Sequence, residues 1–225
     1  LVDAEDSAAL VQHPDYSRTW VYGNVLVESD GEGNSQIVHY GGDSGTISEY
    51  RKGTLHFFHN TVVSTRLGNT TLMRLSTDDE HADVRNNVIF TTAAGWHLAL
   101  MNTDGVMDLE HNWLPADWVV SHSTFDGTFN DNGGNVEGVD PGFADFPAGD
   151  LSPSTGSPLI DAGGPLHLEA IPDHVPARQY HPHQSSMPRP GDGAPDLGAF
   201  EAGLVFADGF ESGDLAPWSM IAPKP

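Results

Sequence analysis

An asparagine returns at Asn24, Asn60, Asn87, Asn112 and Asn135, at spacings of 36, 27, 25 and 23 residues. Self-similarity at a period of roughly 20–50 residues marks a solenoid, in which no single repeat can bury its own apolar face. Five residues before the first four of these stand Thr19, Leu55, Ala82 and Met107. Three before stand Val21, Phe57, Val84 and Leu109, and two after stand Leu26, Val62, Ile89 and Leu114. The intervening positions are mostly polar: His56, Asp83 and Asp108 four before, and Tyr22, Phe58, Arg85 and Glu110 two before. Alternation with a period of two, held in step over four repeats, predicts strands that turn one face to a shared core.

Each repeat offers two strand candidates. One runs through the Asn (Leu55–Val63, Ala82–Phe90, Met107–Leu114). The other follows about a dozen residues later (Ile37–Tyr40, Thr71–Leu75, His97–Met101). In the second set Met73 and Leu75 align with Leu98 and Leu100 at 25-residue spacing. Short strands in repeats of this length suit an all-β parallel β-helix of about five coils. The first gap of 36 holds an insertion, expected at Asp30–Asn34 or at Gly41–Gly53. Helical periodicity is nearly absent; Asp3–Gln12 is expected to add one or two turns within a lead-in, residues 1–17. The coils are expected over 18–140. Residues 141–203 hold 11 of the 16 prolines and read as an irregular C-terminal cap, followed by a tail over 204–225.

Thirty-two acidic residues face nine basic ones, a net charge of −23. Such a surface repels nucleic acids and anionic lipid, so nucleic-acid binding is not expected. No run of 18 apolar residues occurs, so no helix is expected to span a membrane. Zero cysteines exclude disulfides and thiolate metal sites.

The Asn frames (YGNVLV, FHNTVV, RNNVIF, EHNWL), the stretch Asn135–Asp145, and the later GSPLIDAG and PDLGAFE segments resemble the pectate-lyase-like superfamily of right-handed parallel β-helix proteins. Phe206–Ser219 is similar to a tail of secreted Gram-negative proteins. The resemblance implies a right-handed coil, an Asn ladder at one bend, and a secreted or cell-surface protein of a Gram-negative bacterium. It also implies a polysaccharide as substrate or ligand. The chain begins inside what reads as solenoid. It is therefore expected to be the C-terminal portion of a longer β-helix, with an upstream segment or a partner chain covering the first coil edge.

Enzymes of this kind work on an outer sheet face, where Tyr22, His56, Phe58, Asp83, Arg85, Asp108 and Glu110 are expected to lie together. A lyase needs a base and a means of neutralising the uronate carboxylate. His56 and Arg85 are the candidate catalytic residues, and Tyr22 and Phe58 are candidates to stack on sugar rings. Asp83, Asp108 and Glu110 are candidates to hold Ca²⁺ through oxygen. The competing reading makes these residues ordinary cross-strand partners, His56 with Asp83 and Arg85 with Glu110. A non-catalytic surface, adhesion or glycan-binding module is the alternative function. Asn102–Gly105 (NTDG) is similar to a polygalacturonase catalytic motif but lacks the partner motifs that should follow it, and such a string is ordinary turn chemistry. Asp161, Asp173, Arg189, Asp196 and Glu201 are expected to tie the cap loops together.

Overall fold

The computed structural model describes residues 12–202 apart from residues 32, 43–44, 46–49, 182–184 and 192. The Asp3–Gln12 helix (Gln12 excepted), the tail and part of the Gly41–Gly53 stretch therefore lie outside the described residues.

The described residues are all-β, in stacked parallel sheets. Sheet 1 contains β1 (Arg18–Tyr22), β4 (Gly53–Phe58), β7 (Glu80–Arg85), β10 (Val106–Glu110) and β12 (Thr128–Asp131), in that spatial order. Sheet 2 contains β2 (Val25–Glu28), β5 (Thr61–Ser64), β8 (Val88–Thr91), β11 (Trp113–Pro115) and β13 (Val136–Gly138). Sheet 3 contains β3 (Gln36–Tyr40), β6 (Thr70–Leu75) and β9 (Leu98–Met101). Each of the first three repeats visits sheets 1, 2 and 3 in turn and returns to sheet 1 one strand further on, while the fourth passes from β11 to β12 with only an isolated bridge, Val119 to Ala99, beside sheet 3.

The register matches the alternation. Leu55 pairs with Ala82 and Ala82 with Met107, while Phe57 pairs with Val84 and Val84 with Leu109. These residues join Val62, Ile89 and Leu114 of sheet 2, and Leu72, Met73 and Leu98 of sheet 3, in one buried cluster. Sheet 3 departs from expectation. Met73 pairs with Met101, not Leu98, and Thr70 takes Leu98. The cause is that β9 is buried along its whole length. A continuous apolar run carries no parity from which a register could be read.

The strands expected to run through each Asn are broken there into two, one in sheet 1 and one in sheet 2. The residue before each Asn makes the corner with positive φ: Gly23 at 69°, His59 at 49°, Asn86 at 57°, His111 at 50° and Gly134 at 72°. The recurring Asn does not take this left-handed conformation itself. Its neighbour does so instead, and Gly, Asn and His are among the residues that tolerate it. The Asn side chain performs a different task. Asn60 Oδ1 accepts from the backbone N–H of Asn24 at 3.1 Å and from its Nδ2 at 3.0 Å. Asn87, Asn112 and Asn135 repeat this one step along. Each bend therefore hands its unpaired backbone donor to the next repeat, which satisfies polar groups that burial would otherwise orphan.

The insertion lies between β3 and β4. Tyr40 pairs with Leu75 and Gly53 with Glu80, so residues 41–52 stand where the next repeat has only 76–79.

The C-terminal segment was expected to cover the end of the stack. The described residues of 159–201 pack along its side. Leu159 and Leu197 pack with Val88 and Trp113 on the outer side of sheet 2 as a second buried cluster. Gly198 adopts φ 91° there, and a Cβ on it would come within 2.7 Å of Thr61 Oγ1 and 2.9 Å of Val88 Cγ2. Only glycine fits this close approach.

Candidate functional site

The outer face of sheet 1 carries two columns set by the register. One reads Trp20, His56, Asp83, Asp108 and Asn130, and the other Tyr22, Phe58, Arg85 and Glu110. All seven expected residues therefore share this face. Trp20 also belongs to it, because it stands four before Asn24 as His56 stands four before Asn60.

The face is not open as expected. His56 is 0% exposed, Phe58 1%, Asp83 3% and Arg85 8%. The cover is residues 164–174, here called the strap. His174 stacks on Trp20 with ring centres 4.1 Å apart, and His167 lies 4.8 Å from His56. Ala170, at the end of the short 3-10 turn Leu168–Ala170, is fully buried. The strap is fastened by Asn86, whose Oδ1 accepts from Gly164 N–H at 2.8 Å and whose Nδ2 donates to Gly164 O at 2.9 Å.

Beneath the strap the polar groups of His56, Asp83 and Arg85 are paired, while the buried Nε1 of Trp20 has no partner. His56 Nδ1 lies 3.1 Å from Asp83 Oδ2, and His56 Nε2 lies 3.2 Å from Glu169 Oε2. Arg85 donates through Nε to Asp83 Oδ1 at 2.8 Å and through Nη1 to Pro165 O at 3.1 Å. The same Nη1 lies 3.1 Å from Glu110 Oε2. Burial on its own would raise the Asp83 pKa; hydrogen bonds from His56 and Arg85, with the Arg85 charge, outweigh it and hold the carboxyl below its ordinary value. Both expected cross-strand pairs are formed.

The three carboxylates proposed for Ca²⁺ do not converge. Asp83 is taken by His56 and Arg85, and Glu110 faces Arg85. Asp108 accepts from Asn130 at 2.8 Å and lies 2.7 Å from His81 Nε2. Ca²⁺ takes six to eight oxygens, and this donor set, divided among basic partners, does not fit it. Among the described residues the one group of potential ligands brought together is His56, His167 and Glu169, whose ligand atoms lie within 4.8 Å of one another.

A cleft of about 410 Å³ opens beside the first strands, lined by Tyr22, Val175, Arg178, Gln179, Tyr180 and Ser186 among others. Tyr22 lies flat on Phe58, with ring centres 4.8 Å apart. Arg178, at the start of a short strand (Arg178–His181), holds its antiparallel partner strand (Ser185–Pro188) through Ser186 Oγ and O.

On the other side of the strap, Arg189 lies 2.6 Å from Glu201 and 3.3 Å from His59 Nδ1. Burial, aided by the Arg189 charge, pushes the His59 pKa down to about 3. Asp196 accepts the backbone N–H of Asp161 and Ala202 through its carboxylate, so the expected loop ties of Arg189, Asp196 and Glu201 are formed; Asp161 joins them through its backbone and Asp173 does not join them. Thr103 and Asp104 of the NTDG string make a local hydrogen bond, and Gly105 N–H binds Asp78, as a turn would.

Compared with family models, curated proteins and solved structures, the chain shows no match.

Proposed function

We propose that the stacked sheets form a right-handed parallel β-helix of the pectate-lyase-like kind, secreted or displayed at a bacterial cell surface, which binds glycan without cleaving it. One observation carries this reading: the His56–Asp83–Arg85 face is roofed by the strap, and its polar atoms are already engaged. A polysaccharide chain needs an open groove over its base, and no sugar reaches His56 while Ala170 and His167 lie over it. The ligand site is assigned to the cleft at Tyr22, whose ring rests on Phe58 and so offers a rigid platform with Tyr180 and polar groups nearby. Its size falls in the range of small-ligand sites. The net charge of −23 favours a neutral sugar over a polyuronate.

Calorimetric titration with neutral oligosaccharides tests this. Tyr22→Ala should weaken binding by up to about tenfold, the equivalent of one aromatic contact of ~0.5–1.5 kcal/mol. No unsaturated product should form from uronate polysaccharides, with or without Ca²⁺.

A lyase-like enzyme is the second reading. Its support is His56, held by a carboxylate at Nδ1 and facing a half-exposed Glu169 at Nε2, as a general base is held. Product that appears with the native chain and disappears in His56→Ala and Arg85→Ala would replace the first reading with this one.

A further inference from the structure

We propose that His56, His167 and Glu169 form a site for a divalent transition metal, best matched to Zn²⁺, which pins the strap to sheet 1. The proposal stands apart from the glycan reading, since neither the Tyr22 cleft nor any sugar enters it.

The donor set comes first. Two imidazoles and one carboxylate are ligands of zinc and its neighbours, whereas Ca²⁺ and Mg²⁺ prefer all-oxygen cages. Distance follows. Zinc–ligand bonds of ~2.0–2.2 Å at tetrahedral angles put donor atoms roughly 3.3–3.5 Å apart. His56 Nε2 and Glu169 Oε2 are 3.2 Å apart, and the third ligand atom is within 4.8 Å. The Glu169 side chain is 46% exposed, so it can swing to close the triangle and leave a fourth position for water.

The environment of His56 is the strongest argument. Its Nδ1 faces Asp83, and Asp83 is clamped in turn by Arg85. A carboxylate on the far nitrogen of a ligating histidine fixes the ring and its tautomer, presenting the other nitrogen to a metal. That leaves Nε2 of a fully buried ring aimed at Glu169. A metal there would also take His56 out of any role as a base.

His167 gives up something on binding. Its Nδ1 now accepts the backbone N–H of Glu169 at 3.2 Å, as cap of the short 3-10 turn. Coordination at either ring nitrogen requires the proton to sit on the other. Nδ1 then has no free lone pair, whichever nitrogen binds, and the long cap bond is lost. The site therefore trades a local contact for one that crosses from strap to sheet.

The test is titration of the chelator-stripped full chain with ZnCl₂, read by calorimetry and by thermal unfolding. One Zn²⁺ should bind saturably and raise the unfolding midpoint, while Ca²⁺ and Mg²⁺ leave it unchanged. Glu169→Gln and His167→Ala, both at partly or fully exposed positions, should each weaken binding by at least about tenfold, and the pair should abolish it. Asp83→Asn should weaken it by about 10–100-fold, as loss of a partner behind a ligand does. Absence of saturable binding overturns the proposal. So does unchanged Zn²⁺ affinity in folded Glu169→Gln and His167→Ala, which would put the ion on another histidine.

Discussion

The outer face of sheet 1 carries two histidine–aspartate pairs in very different settings. His56 and Asp83 lie under the strap, with side chains 0% and 4% exposed. His81 and Asp108 lie one strand further on, 38% and 28% exposed, with only Asn130 as an additional partner. The residue types match and both pairs bridge neighbouring strands, but His56 stands directly opposite Asp83, whereas His81 reaches Asp108 diagonally from two positions off. The larger difference lies in what covers them. Under cover, losing a polar partner is expensive, because water does not reach the group left behind. In the open, water substitutes for a lost partner.

The largest test of this contrast is a matched pair of substitutions. Asp83→Ala leaves His56 and Arg85 buried without their acceptor, and should cost about 3–5 kcal/mol in urea unfolding. Asp108→Ala should cost about 1 kcal/mol or less. Equal losses would mean that the strap adds nothing. Next is the fastener. Asn86→Ala removes both bonds to Gly164 and puts alanine at φ 57°, for an expected loss of about 2–4 kcal/mol; Asn86→Gly, which relieves the backbone, should recover about 1 kcal/mol of it.

Acid should separate the halves further. His59, beside the strap, is held neutral, with its pKa moved from about 6.5 down to about 3. The unfolded chain therefore takes up this proton first, and stability falls as pH drops from about 6.5 towards 3. Asp83 adds to the loss below its ordinary carboxylate range, because its pKa is depressed in the folded state. Unfolding midpoints across this window should slope downward, and His59→Asn, tolerant of the same φ, should flatten the upper part of the slope. The smallest effect belongs to the open pair. Raising NaCl to ~1 M should remove most of the Asp108→Ala cost and little of the Asp83→Ala cost, since only exposed pairs are well screened.

The stacked repeats were legible because the Asn frame assigns every neighbour a side. Leu55, Ala82 and Met107 fell in one inward column, and His56, Asp83 and Asp108 in one outward column. Where the frame lost its signal the reading slipped. The all-apolar β9 allowed the wrong partner for Met73, whereas Trp20, four before Asn24, was readable from the frame as the head of the His56 column. The left-handed corner had a visible mark, since Gly23, His59, Asn86, His111 and Gly134 are all residues that accept it, but the asparagine beside them drew the attention. His167 and Glu169 had no mark at all. They sit in a Gly- and Pro-rich segment without periodicity, and no local rule links Glu169 to a histidine 113 residues earlier. Face membership was therefore readable and burial was not, because the cover comes from far along the chain.

That same separation sets an order of events during synthesis. At roughly 5–20 residues per second, about 6–23 s pass between translation of His56 and of Glu169. Throughout that interval the nascent stack presents Phe58, Trp20 and a half-paired His56 to the cell, so the time of greatest exposure to a chaperone, or to a second nascent copy, ends only when the strap emerges.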